Sequence, residues 1–196
     1  MKKLIGILAI LTIIFIYGCS KQPSSIKAKQ DGKPLIVMYG DFKCPYCKKV
    51  EDKVMPKLRN KYIDKNKVKF QYVNLAFIGK DSIIGSRAQQ AVNHYAPKYS
   101  LQFQKLMFEH QKDEDKKWIT HTLIDKQIDK LNISNKTKDK IKANYKTKNS
   151  TSWKAAEKDK KLGKEHHIKQ TPTVFIEGKK VKDPYDFSSY QKLLEE

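Results

Sequence analysis

The sequence predicts an α/β fold in which two small strand-and-helix halves are separated by a large all-helical insertion. Three observations carry this reading. An unbroken apolar run, Leu35-Ile36-Val37-Met38-Tyr39, lies between Pro34 and Gly40 and leads into residues with helical spacing. Strand signals then vanish from about Gly79 to Gly163. They return at Thr173-Val174-Phe175-Ile176, directly behind Thr171-Pro172. A short continuous apolar run bounded by turn residues reads as a strand covered on both faces.

The elements follow in chain order. Lys2 and Lys3 precede an apolar run from Leu4 to Tyr17. That length suits the core of a signal peptide and falls short of the roughly 20 residues a membrane-spanning helix needs. The run ends Ile16-Tyr17-Gly18-Cys19. This resembles the lipobox of bacterial lipoproteins, in which a small residue precedes a cysteine that is lipidated and becomes the new N-terminus. Tyr17 departs from the small residue usual at its position. The alternatives are an uncleaved anchor, or a secretory signal with Cys19 incidental. Residues 1–18 are thus expected to be a signal peptide. Residues 19–33, polar and without a sustained apolar pattern, read as a tether with a short edge strand around Ile26.

Leu35 to Tyr39 is the central strand. Cys47, Val50, Val54, Leu58 and Tyr62 recur at helical spacing, with Pro45 in the first turn and Pro56 expected to kink the helix. Val68 to Leu75 is β-branched and aromatic and reads as a second strand. Arg87–Tyr95, Tyr99–Gln111, Trp118–Leu131, Asn135–Tyr145 and Thr151–Leu162 read as helices, with Trp118 and Trp153 as core anchors. Glu177-Gly178-Lys179 turns Thr173–Ile176 into a hairpin with Lys180-Val181. Asp186 opens a last helix with Phe187, Tyr190 and Leu194 on one face. The divisions are 34–79, 80–165 for the helical insertion, and 166–196.

Lys+Arg number 41 against 21 Asp+Glu, a formal charge of +20, and removal of Lys2 and Lys3 with residues 1–18 leaves +18. Only Arg59 and Arg87 are arginine. A solvated lysine surface explains the charge better than a dedicated anionic partner such as cell-wall polymer or acidic lipid. Nucleic-acid binding is not expected, because lysine lacks the bidentate fork of arginine. The chain is long enough to bury a core. Three cysteines exclude a disulfide-dense scaffold.

The chemistry concentrates in Cys44-Pro45-Tyr46-Cys47. With Cys19 lipidated, a bond between residues 44 and 47 is the one intramolecular disulfide left. So small a loop stabilises by only about 2 kcal/mol in the chain-entropy model, against ~4.7 for a 100-residue loop. The spacing suits a disulfide that forms and breaks. Cys44, at the helix N-terminus, is expected to be the more exposed thiol and the nucleophile, helped by Lys43, Lys48 and Lys49. Cys47 is the resolving thiol. A metal site would need further ligands. His166 and His167 are adjacent and converge poorly, so no metal is expected. His94, His110 and His121 read as surface or packing residues.

A strand, Cys-x-x-Cys, a helix, and a late Thr-Pro before a hairpin resemble the thioredoxin fold. The helical block between the halves is similar to the DsbA family of exported thiol–disulfide oxidoreductases. So are Gly40-Asp41-Phe42-Lys43, the stretch Leu106-Met107-Phe108-Glu109-His110-Gln111 with Trp118, and Gln170-Thr171-Pro172-Thr173-Val174-Phe175-Ile176-Glu177-Gly178. The resemblance covers most of residues 34–196. It implies that Pro172 is cis and lies against Cys44 and Cys47, with Pro45, Tyr46, Thr171 and Pro172 supporting the site and holding an extended substrate.

It further implies a redox enzyme without a cofactor, whose only redox group is the Cys44–Cys47 disulfide, acting as a monomer. Its partners would be reduced, unfolded secreted proteins, a membrane reached through the lipid anchor, and a reoxidant, either a membrane oxidase or a small molecule. A reductase or isomerase on the same fold, or a non-catalytic peptide-binding lipoprotein, is the alternative. Three departures stand out. Tyr46 replaces a frequent histidine. Met38 replaces a buried acid six residues before the first cysteine, leaving proton transfer at Cys47 to water or another group. Gln170 replaces a frequent glycine.

Overall fold

The computed structural model describes residues 26–195, so the signal-like segment and Cys19 lie outside the described residues. Strand β1 (Lys29–Gln30) forms a hairpin with β2 (Lys33–Gly40). Its turn residues Asp31 and Gly32 have φ of 51° and 73°, the left-handed pair that a two-residue hairpin requires. The expected edge strand therefore lies a few residues beyond Ile26, which instead packs against the sheet.

β2 is central. β3 (Lys69–Asn74) runs parallel to it on one side and β4 (Thr173–Ile176) antiparallel on the other, with β5 (Lys179–Lys180) outside β4. Side chains alternate along a strand, and β2 is apolar on both faces. Ile36 and Met38 enter a large cluster with Phe42, Cys47, Val50, Phe103 and Phe108. Leu35, Val37 and Tyr39 enter a smaller one with Val73 and Leu75.

Helix α1 (Pro45–Lys53) stops at Val54 and restarts as α2 (Met55–Leu58), with Pro56 in its first turn, which is the expected kink. A π-helical turn, Arg59–Ile63, then carries the chain towards β3. The insertion comprises α3 (Ser82–Tyr95), α4 (Ser100–Glu109), α5 (His121–Asp129), α6 (Asn135–Lys146) and α7 (Thr151–Glu165). Helix α3 begins five residues before the expected start at Arg87. Trp118 is buried as expected but precedes its helix, because Thr120 is the N-cap of α5 and accepts the Leu123 N–H at 3.1 Å. Trp153 is half-buried beneath the Arg87 guanidinium, 3.1 Å above its ring. Asp186 caps α8 (Phe187–Leu194), whose Tyr190 is buried. Among the described residues no helix is long and apolar enough to cross a membrane.

Candidate functional site

The site lies where β2 ends. Cys44 is the N-cap of α1, with Pro45 at a position whose missing N–H costs nothing. The Cys47 N–H donates to the Cys44 sulfur at 3.2 Å. Thr171-Pro172 is cis, as expected, and the Thr171 carbonyl accepts from the Cys44 thiol at 3.4 Å. Residues separated by most of the chain thus meet at one sulfur. Both cysteines are thiols in this structure.

The two thiols are held in opposite states. The Cys47 thiol, hydrogen-bonded to the Cys44 sulfur, is the main cause that brings Cys44 down to about 7. Burial opposes this, while the Thr171 side chain and the N–H groups of Cys47 and Tyr46 assist. Burial pushes Cys47 well above the ordinary thiol value, reinforced by Cys44 itself. A thiol that ionises near neutral pH beside one that resists ionising is the asymmetry that thiol–disulfide exchange uses.

Cys44 is the more accessible of the two thiols, as expected, but both are nearly buried at 2% and 0%, and Pro45 and Tyr46 form the exposed surface of the motif. One expectation is corrected: the neighbouring lysines do not serve the thiolate. The Lys43 ammonium is buried on Asp81 at 3.0 Å, Lys48 pairs with Asp52 at 2.6 Å, and Lys49 lies 4.4 Å above the Tyr185 ring. The acidity of Cys44 comes from hydrogen bonds.

Sequence reasoning missed the groups that fix the motif. Asp41, fully buried, accepts from the Lys43 N–H and Ser82 hydroxyl with one oxygen and from the Phe77 and Ile78 N–H groups with the other. Asp81 accepts from Lys43 and from the N–H groups of Trp118 and Ile119. Gln111 donates to the carbonyls of Phe42 (2.6 Å) and Cys44 (3.0 Å). Behind α1, buried Glu51 accepts from Arg59 and Gln104. The signals available were Asp41 and Lys43 in the stretch before the cysteines, and Arg59 as one of two arginines in a lysine-rich chain.

Met38 sits fully inside the core opposite Tyr72, whose hydroxyl is buried without a hydrogen-bond partner. The histidines are dispersed. His166 meets the Tyr39 hydroxyl on the other face of the sheet, His110 meets the Leu106 carbonyl, and His121 stacks on Tyr145.

These features define a class. Residues 26–196 match the family model described as Thioredoxin, and the chain belongs to that family. Within it, the chain is a thiol–disulfide oxidoreductase of DsbA type. It is 32% identical over 181 residues to Disulfide bond formation protein D of Bacillus subtilis (strain 168), covering 90% of this chain and 79% of that one. The crystal structure of oxidised BdbD from Bacillus subtilis superposes with a TM-score of 0.74 at 30% identity, over 86% of this chain and 89% of that one. Chlamydia trachomatis DsbA shares the fold, with a TM-score of 0.69 at 16% identity over 89% and 93% of the two chains.

Proposed function

We propose that this chain is an exported, lipid-anchored oxidase that introduces disulfide bonds into secreted or surface proteins. The observation that carries the reading is the asymmetry of the two thiols, with Cys44 at about 7 and Cys47 held high beside Thr171-Pro172.

The reaction runs from the Cys44–Cys47 disulfide. A substrate thiolate attacks the Cys44 sulfur, the S–S bond breaks, and the electron pair leaves on Cys47. A second substrate thiolate attacks the substrate sulfur of this mixed disulfide and expels Cys44 as its thiolate. The substrate has lost two electrons and the enzyme holds them as a dithiol, which a membrane oxidase or small oxidant then reoxidises. A stabilised Cys44 thiolate lowers the free energy of the reduced form and makes the disulfide more oxidising, about 30 mV for each ~1.4 kcal/mol. With neutral Tyr46 beside it, Cys44 is less acidic than the ~3.5 of the most oxidising relatives. The substrates are reduced, unfolded polypeptides, met by a monomer.

The test is paired: oxidation of a reduced protein, then rescue of a scrambled one, each against Cys44→Ser. Fast oxidation with poor rescue is expected, and efficient rescue with little oxidation would make the protein an isomerase. The anchor has its own test. Fatty-acid labelling should mark the wild type and not Cys19→Ser, and equal labelling of both would remove the lipoprotein assignment.

A further inference from the structure

Phe77 and Tyr46 are the exposed large hydrophobic side chains among the described residues, at 56% and 60% accessibility. Tyr46 belongs to the cysteine motif. The backbone of Phe77 is tied to the segment leading into that motif, because its N–H donates to Asp41, three residues before Cys44. Ala76 is held at φ 49°, a left-handed conformation unusual for a residue with a β-carbon, while its N–H donates to the Asn74 side chain. The loop is thus built so that Phe77 faces solvent at the edge of the site.

Next to Phe77 lies a shallow groove of about 210 Å³, lined also by Leu75, Gly163 and Ile168. Gly163 lets α7 approach closely, since a β-carbon there would come within 2.4 Å of Leu75. The rest of the lining is cationic: Lys160, Lys164 and Lys169, with no acid. Lys160 has Glu157 at 3.7 Å, whereas no described carboxylate pairs with Lys164 or Lys169. Lys169 stands two residues before Thr171, whose carbonyl touches the Cys44 thiol. Two extended residues span at most about 7 Å, so the Lys169 end of the groove adjoins the loop that touches the Cys44 sulfur.

We infer that this groove holds the substrate polypeptide beside its reacting cysteine, and that it selects segments in which an apolar side chain stands next to a carboxylate. The inference rests on the oxidase reading and adds a substrate class to it. The apolar floor takes one side chain out of water, and the unpaired lysines on the rim complement one or two carboxylates. Exposed apolar surface rimmed by charge beside a reactive centre is the expected form of such a subsite.

The experiment uses the oxidised full-length protein in detergent and dithiol peptides that share one cysteine pair. Their flanking residues are Leu-Glu, Leu-Lys, Ser-Glu or Ser-Lys. The Leu-Glu peptide should react about tenfold faster in kcat/KM than Ser-Lys. Phe77→Ser should remove the preference for leucine. Lys164→Glu with Lys169→Glu should reverse the preference for glutamate, and Lys140→Glu, exposed on α6 away from the groove, should leave it in place. Salt at about 0.5 M should weaken the charge preference and spare the apolar one.

Equal rates for all four peptides would overturn the groove alone, while oxidation of none would overturn the oxidase reading and the groove with it. Flat peptide rates combined with Phe77-dependent binding to phosphatidylglycerol vesicles, or with Phe77-dependent self-association, would give the surface to another partner and overturn the inference.

Discussion

Two of the buried aspartates that join the sheet side of the molecule to the helical insertion, Asp81 and Asp159, are shifted in opposite directions. Asp81, 3% accessible, sits on the side of the cysteines. Burial acts to raise its pKa, but the N–H of Ile119, the Lys43 ammonium and the N–H of Trp118 outweigh it and hold the carboxyl below its usual range. Asp159, 5% accessible on α7, faces the other side. It accepts from the Asn74 N–H at 3.2 Å and Gln90 at 2.6 Å, with no ion-pair partner among the described residues, and burial pushes it up to about 7. Low accessibility alone therefore decides little. Asp159 is packed more deeply and has one N–H and one amide as donors, whereas Asp81 has two N–H groups and an ammonium.

The pH consequences have opposite signs. The stability that Asp81 contributes is present above its unfolded value of about 4 and is lost as pH falls below it. Asp159 contributes stability fully present below about pH 4, which is lost as pH rises through about 7. The largest break in the comparison is Asp81→Ala, which strands the Lys43 ammonium and two N–H groups. It should cost about 3–5 kcal/mol at pH 7 by urea denaturation.

Asp159→Asn comes next. Between about pH 4 and 7 the wild type should lose up to about 1.4 kcal/mol per pH unit relative to this variant. Parallel stability curves would show that Asp159 stays ionised. Gln90→Lys sharpens the contrast by placing an ammonium where the amide now donates. It should flatten the wild-type slope above pH 5 and make Asp159 behave like Asp81. The smallest effect belongs to Ser150→Ala, which removes the N-cap of α7 without touching either carboxylate. It should cost about 1 kcal/mol at every pH tested.

Neither aspartate announces itself in the sequence, whereas much around them does. The central strand is legible because five apolar residues in a row leave no polar face. The site is legible because Cys44, Cys47 and Thr171-Pro172 are short local patterns. The kink at Pro56 follows from a missing N–H. By contrast, Asp81 meets Lys43 across 38 positions and Gln111 meets Phe42 across 69. A single acid or amide in a chain this polar has no periodicity to reveal its partner. The same blindness assigned the neighbouring lysines to the thiolate, since sequence proximity cannot show that the Lys43 side chain turns inward to an acid on another element.

The contacts of Gln111 bear on how far this protein is modular. The insertion resembles a cassette that interrupts a smaller fold, and a cassette should be removable by joining its ends. Here its amide satisfies the carbonyls on either side of Lys43, at the root of the cysteine motif. A chain joined across residues 80–165 would retain both cysteines and Thr171-Pro172, and the Cys44 carbonyl would keep the N–H groups of Cys47 and Lys48, but the Phe42 carbonyl would lose its Gln111 donor. The insertion is part of the scaffold of the motif, and trimming the protein to a minimal redox domain would require a new donor at that position.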